Sequence, residues 1–178
     1  SSKIAKILEP IAIKKASIIT GVAQSYYQGV VDRNKSLIKN CLFDSMPYGG
    51  EPLDNINLDL KRFDKYLFKK SNKIQLVYAG ALLPKAFQPL ERILKSISEN
   101  IEQFNDVEFH FIGTGKGINY INGYNIKELA EKYNLWNSIV FEHPLRIPYL
   151  DVLYHLNIAD AIFILGSTEP HYTPSKVY

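Results

Sequence analysis

Cysteine is almost missing from this chain, with Cys41 the only one. One thiol cannot form an intrachain disulfide or a cysteine-based zinc site, and such sparing use favours a reducing compartment. No apolar run approaches the roughly 20 residues that span a bilayer. The first residues interleave Lys with Ile, where a secretory signal would carry an unbroken apolar stretch. The expected location is therefore cytoplasmic. Charge of one sign is also scarce: 21 Lys and Arg against 18 Asp and Glu leave a formal +3. That suits an anionic small molecule and falls far short of the basic footprint of a nucleic-acid binder. No Ser–His–Asp order, carboxylate pair or metal-ligand cluster stands out, so no metal and no resident cofactor are expected.

What is present is ordinary globular material. The 46% hydrophobic and 22% charged fractions, with 12 Tyr and 9 Phe, supply ample core. Lys3 to Lys15 is a basic amphipathic helix candidate, with Ile4, Ile7, Leu8 and Ile11 at helical spacing. The preferred reading is a packed helix with a solvated lysine face. The other is a helix lying on a membrane surface, which would make the protein peripheral at the inner face of the membrane. Ala16 to Val22 and Cys41 to Phe43 read as short strands, and Gln24 to Ile38 as the helix between them. Met46 to Asn57 is dense in turn formers and reads as a boundary; Leu58 to Lys70 reads as a charged helix. The expected organisation is thus 1–45, a linker and helix over 46–72, and a second domain over 73–178.

From Ile74 the pattern becomes regular. Ile74–Ala79, Val107–Ile112, Ile139–Phe141 and Ala161–Leu165 are apolar strands. Helices alternate with them, opened by Pro89, running from Ile126 to Leu135, and opened by Pro148. Strands spaced this way make βαβ crossovers, hence an α/β fold with a parallel sheet covered by helices on both faces. Thr173 and Pro174 then look like the cap and first position of another helix. Too few residues follow to complete it, so the sheet is expected to be incomplete and the chain an excerpt.

Ligands of such sheets bind beyond the carboxyl ends of the strands. Those ends carry Gly80, Gly113-Thr114-Gly115-Lys116, Glu142-His143-Pro144 and Gly166-Ser167-Thr168-Glu169. Glycine lets a ligand approach the backbone, although any one of these residues alone is just as well explained by a tight turn. Ile118 stands where a dinucleotide fingerprint needs its third glycine, and no phosphate loop occurs. Lys85, Lys116, Arg146 and Lys176 are the cations expected near the crevice. Lys176 and Ser175 sit at the capped helix start, where free N–H groups and the helix dipole favour phosphate. His171 lies beside that start, and Glu169 is the one acid with a site role. His110 reads as a packed sheet histidine, and His155 carries no signal.

Taken in order, these segments resemble the retaining glycosyltransferases of the GT-B fold, family 4 type. Ala16 to Tyr26 is similar to the strand and turn near the end of the family's acceptor domain, and Met46-Pro47-Tyr48-Gly49-Gly50 to its interdomain linker. Leu76 to Leu82 resembles the first strand and glycine loop of the donor domain, and Val107 to Lys116 its next strand and loop. Leu156 to Ser167 is similar to a later strand whose acid is Asp160. Thr173 to Tyr178 resembles the helix start that ends the donor site. The resemblance implies a Rossmann-like donor half with a remnant of the acceptor domain, 1–45, before it. It further implies hexose transfer, with retention, from a nucleotide-diphosphate sugar to a glycan or lipid-linked acceptor, in cell-surface polysaccharide synthesis. The nucleotide sugar enters as substrate. Gly80, Lys85, Gly113, Gly115, His143, Arg146, Glu169, His171, Thr173, Ser175 and Lys176 would line the donor site. His171 stands where the family carries an acid, and Ala81 and Leu82 where it carries a cation. The excerpt alone is expected to be inactive. The alternatives are a nucleotide-sugar epimerase of the same architecture and a non-catalytic doubly wound binding domain.

Overall fold

A computed structural model of the chain describes residues 3–60, 66–117 and 120–168. They form two compact units that divide between Gly50 and Glu51.

The first unit runs α1 (Lys3–Ile13), β1 (Ile18–Gly21), α2 (Gln24–Arg33) and β2 (Leu42–Ser45). β1 and β2 pair in parallel, Ile18 opposite Leu42 and Gly21 opposite Ser45, with α2 as the crossover. α2 stops at Arg33 rather than Ile38. Its next residue, Asn34, turns its side chain back onto the Val30 carbonyl at 2.9 Å, while the Leu37 amide bonds to the Asn34 carbonyl. An amide side chain that captures a helix carbonyl in this way ends the helix. The packed reading of α1 is overturned. Ile4, Ile7, Leu8 and Ile11 are 67%, 66%, 54% and 69% exposed, whereas Glu9 and Ile13 are half-buried. The cause is Glu9: its carboxylate accepts from Arg33 at 2.7 and 3.0 Å and from Asn34 at 2.8 Å. A bidentate charged pair fixes geometry as well as energy, and here it anchors α1 by the side that carries Glu9, Pro10 and Ile13.

The second unit begins with α3 (Leu53–Leu60). The helix expected from Leu58 thus starts five residues earlier, because Glu51 accepts the Leu53 amide at 3.0 Å and Pro52 has no amide to satisfy. Residues 66–70 are not helical. The sheet that follows contains β3 (Ile74–Ala79), β4 (Val107–Ile112), β5 (Val140–His143) and β6 (Ala161–Ile162) in the order β5-β4-β3-β6, all parallel. Between them lie α4 (Phe87–Glu99), α5 (Lys127–Lys132) and α6 (Tyr149–Ile158). The unit is therefore α/β, a parallel sheet flanked by helices, in the strand order of a Rossmann-like half.

Several boundaries move for identifiable reasons. A 3₁₀ turn, Pro84–Ala86, leads into α4, so Pro89 is the third helical residue rather than the first. Its missing N–H costs nothing there. α5 ends at Lys132 because Asn134 adopts φ 56°. The Leu135 amide then reaches the Ala130 carbonyl at 2.9 Å, and the Asn134 amide reaches Glu131 at 3.0 Å. That is a Schellman ending with Asn in the left-handed position. β6 is two residues long instead of five, since after Phe163 the chain leaves the sheet and the Thr168 amide bonds to the Lys85 carbonyl at 3.2 Å.

The core lies on one face of the sheet. Period two places Leu76, Tyr78, Phe109, Phe111 and Val140 there, against Leu90, Leu94 and Ile97 of α4 and Ile126, Ala130 and Leu135 around α5. Each fully buried Leu or Ile contributes about 1.5–3 kcal/mol. The opposite face is mixed: Gln75, Glu108, His110 and His143 share it with Val77, Ile112 and Phe141.

Candidate functional site

β3 is where the sheet changes direction. β4 and β5 lie on one side of it, and the chain then crosses to place β6 on the other. A crevice opens at such a switch point, outside the carboxyl ends of the strands. Gly80, at the end of β3, has φ 113°, and Gly113, at the end of β4, has φ 72°. Both conformations strain any residue with a side chain. The two glycines are neighbours: a Cβ on Gly113 would stand 4.0 Å from the Gly80 Cα and 3.8 Å from the Arg146 Cγ. Gly80, Gly113 and Arg146 are therefore brought together at one end of the sheet. Arg146 is exposed and forms no ion pair among the described residues.

Lys85 is exposed in the 3₁₀ turn before α4, tied to the chain beyond β6 by the Thr168 bond. No side chain caps the start of α4. Lys116, the other cation at this end, pairs with Glu128 at 3.8 Å. The glycines contribute space rather than donors, because their amides are used within the fold. Gly80 donates to Ile112 at 2.8 Å, Gly113 to His143 at 2.8 Å and Gly115 to Pro144 at 3.0 Å. Gly115 is pressed so closely on Pro144 that a Cβ would lie 2.5 Å from the Pro144 carbonyl oxygen. Its glycine is thus accounted for by packing against the next strand's loop. Glu169, His171, Thr173, Ser175 and Lys176 lie outside the described residues.

Two features of the strand ends were not legible in the sequence. The first is Glu142. Its buried carboxylate accepts from the Thr114 hydroxyl at 2.8 Å and from the amides of Asn125, Ile126 and Lys127 at 2.9, 2.9 and 3.2 Å. It occupies the position at the α5 start that an anionic ligand would otherwise favour. The second is a stack of rings on the sheet face opposite the core. Phe68 lies 3.9 Å from His110 at 17°, and 6.2 Å from His143; His110 Nδ1 is 3.4 Å from His143 Nε2. His155 joins from α6, accepting the Leu67 amide on Nε2 at 3.1 Å and donating Nδ1–H to the Asp151 carbonyl at 2.6 Å. The Glu-x-His alternation of β4 was the available signal, since a strand with both faces apolar would not carry it.

Burial, followed by the charges of His110 and His155, pushes the His143 pKa down to about 4. Burial also lowers that of His110, against the hydrogen bond and charge of Glu108 and with the charge of His155. For Glu108, burial acts upward but is outweighed by bonds from Gln75 and His110, then by the charges of His110 and Lys73. His143 thus belongs to a buried network that fixes the sheet's second face. It also borders a hollow of about 200 Å³ with Leu67, Tyr124 and Pro144. Asp160, at the opposite end of the sheet, accepts the Gln75 amide at 2.9 Å and pairs with Lys70, holding β6 on β3. Its role is structural.

Comparisons with protein-family models, with curated proteins and with solved structures find no match. Among the described residues, no group of three or more His, Cys, Asp or Glu side chains is arranged to hold a metal. No helix among them is long and apolar enough to cross a membrane.

Proposed function

We propose that the second unit binds the diphosphate of a nucleotide sugar, and that the chain is part of a retaining glycosyltransferase of GT-B type. The observation that carries this reading is the meeting of Gly80, Gly113 and Arg146 at the switch point of the sheet. Two side-chain-free positions beside a guanidinium that has no ion pair among the described residues make room and charge for a phosphate group. Lys85, exposed in the 3₁₀ turn five residues after Gly80, adds a second cation. Fixed positive charge of this kind stabilises a departing nucleoside diphosphate without a metal. The motif resemblance supplies the reaction class: transfer of a hexose to a glycan or lipid-linked acceptor.

Amide NMR with uridine, guanosine and adenosine diphosphates tests the binding step, because it reads weak association. Shifts concentrated at Gly80, Lys85, Gly113 and Arg146 support the reading. Shifts confined to another surface, or none at millimolar nucleotide, overturn it. Incubating the full-length parent protein, rather than this excerpt, with labelled nucleotide sugars separates the related classes: an epimerised sugar nucleotide with no transfer product would replace the transferase reading with an epimerase.

A further inference from the structure

We infer that α1 is a membrane-surface anchor that lays Ile4, Ile7, Leu8 and Ile11 into an anionic lipid interface. This goes beyond the nucleotide-sugar reading and does not depend on it. Two observations set the orientation of the helix. Its apolar residues, spaced to share one stripe, are all more than half exposed. The side that faces the unit carries half-buried Glu9, Pro10 and Ile13, with Glu9 held on Arg33 and Asn34. The helix is thus held with its stripe turned away from the described residues of its unit.

Charge identifies the occupant. Lys3, Lys6, Lys14 and Lys15 are exposed and form no ion pair among the described residues. Glu9, the one acid of α1, is already neutralised by Arg33. At about 100° per residue, Lys3 and Lys14 border the stripe on one side, and Lys15 follows it in the chain. Their aliphatic stems can lie along the acyl boundary while the ammonium groups stay among headgroups. An apolar protein surface would gain nothing from these cations and would have to desolvate them. A layer of acidic phospholipid meets both the stripe and the lysines.

The test is co-sedimentation of the full chain with vesicles of phosphatidylcholine alone or of phosphatidylcholine mixed with the anionic lipid phosphatidylglycerol. Binding to the anionic vesicles, weakened on the order of a hundredfold by replacing Lys3, Lys14 and Lys15 with Gln, is expected at about fivefold per lysine. The pair Ile7→Glu and Ile11→Glu abolishes binding; both positions are exposed, so an unchanged melting temperature shows the fold intact. Absence of binding to anionic vesicles overturns the inference, as does equal binding to pure phosphatidylcholine. A concentration-dependent dimer that the Glu pair dissolves also overturns it, making a second copy of the chain the occupant of the stripe.

Discussion

Gly115 and Pro144 meet backbone to backbone at the carboxyl end of the sheet. The Gly115 amide donates to the Pro144 carbonyl at 3.0 Å, and a Cβ at position 115 would stand 2.5 Å from that oxygen and 2.8 Å from the proline Cβ. Gly115→Ala must therefore displace the loop after β5. It is expected to cost about 2–3 kcal/mol, in the upper part of the range for forced overpacking. Gly113→Ala meets nothing closer than 3.8 Å but keeps φ 72°, so it should cost only the left-handed strain, about 1–2 kcal/mol. Urea midpoints of the two variants check the order. Equal values would mean that the loop yields freely.

Arg146 stands over the Gly113 turn without an ion pair among the described residues. Arg146→Ala should leave the urea midpoint within about 0.5 kcal/mol of wild type, as for other exposed positions. Nucleoside diphosphate affinity should fall about tenfold, the value of one charge-assisted hydrogen bond. NMR titration separates the two effects. An affinity unchanged by the substitution would remove Arg146 from the site.

Glu142 satisfies three amides at the start of α5 and the Thr114 hydroxyl. Glu142→Ala leaves those buried donors without their acceptor and should cost at least about 3 kcal/mol. Glu142→Gln keeps one acceptor oxygen and should cost less. Thermal melts of both variants, with circular dichroism to follow α5, give the comparison. A mild Ala variant would show that water replaces the carboxylate.

His143 gives the fold a sensitivity to acid. Its pKa falls from an ordinary 6.5 to about 4 in the folded chain, so between those values the unfolded chain binds the extra proton. Stability from the neutral ring is therefore complete above about pH 6.5 and declines as pH falls towards 4. The span bounds the loss at about 3 kcal/mol. His110, also lowered, acts in the same direction, while Glu108, held low by its partners, loses its contribution at still more acid pH. His143→Phe keeps a ring against Phe68 and should flatten the fall in stability between pH 6.5 and 4. A slope unchanged by this substitution would place the acid sensitivity elsewhere.

The chain's α/β character was readable because it rests on local periodicity. β3 and β4 have the expected bounds, Ile74–Ala79 and Val107–Ile112, since long apolar strands closed by glycine leave little choice. The ends of α2, α3 and α5 were misread, because each is set by one hydrogen-bonding side chain or one left-handed residue: Asn34, Glu51 and Asn134. Such signals are short and common in any sequence. At the candidate site, Gly80, Gly113 and Arg146 were identified as separate residues, but their meeting depends on strand order. The ring stack of Phe68, His110, His143 and His155 draws on four distant segments, which no local pattern connects.

By itself, then, the sequence determined which segments are strands, which helical faces are apolar and where glycine interrupts them, because these follow from spacing along the chain. Only the tertiary structure decided that the strands run β5-β4-β3-β6, that Glu142 fills the start of α5 and that α1 turns its apolar stripe outward. Those outcomes depend on which partner a group finds across the fold. In α1, the stripe of Ile4, Ile7, Leu8 and Ile11 faces outward while Glu9, bound to Arg33 and Asn34, faces the unit.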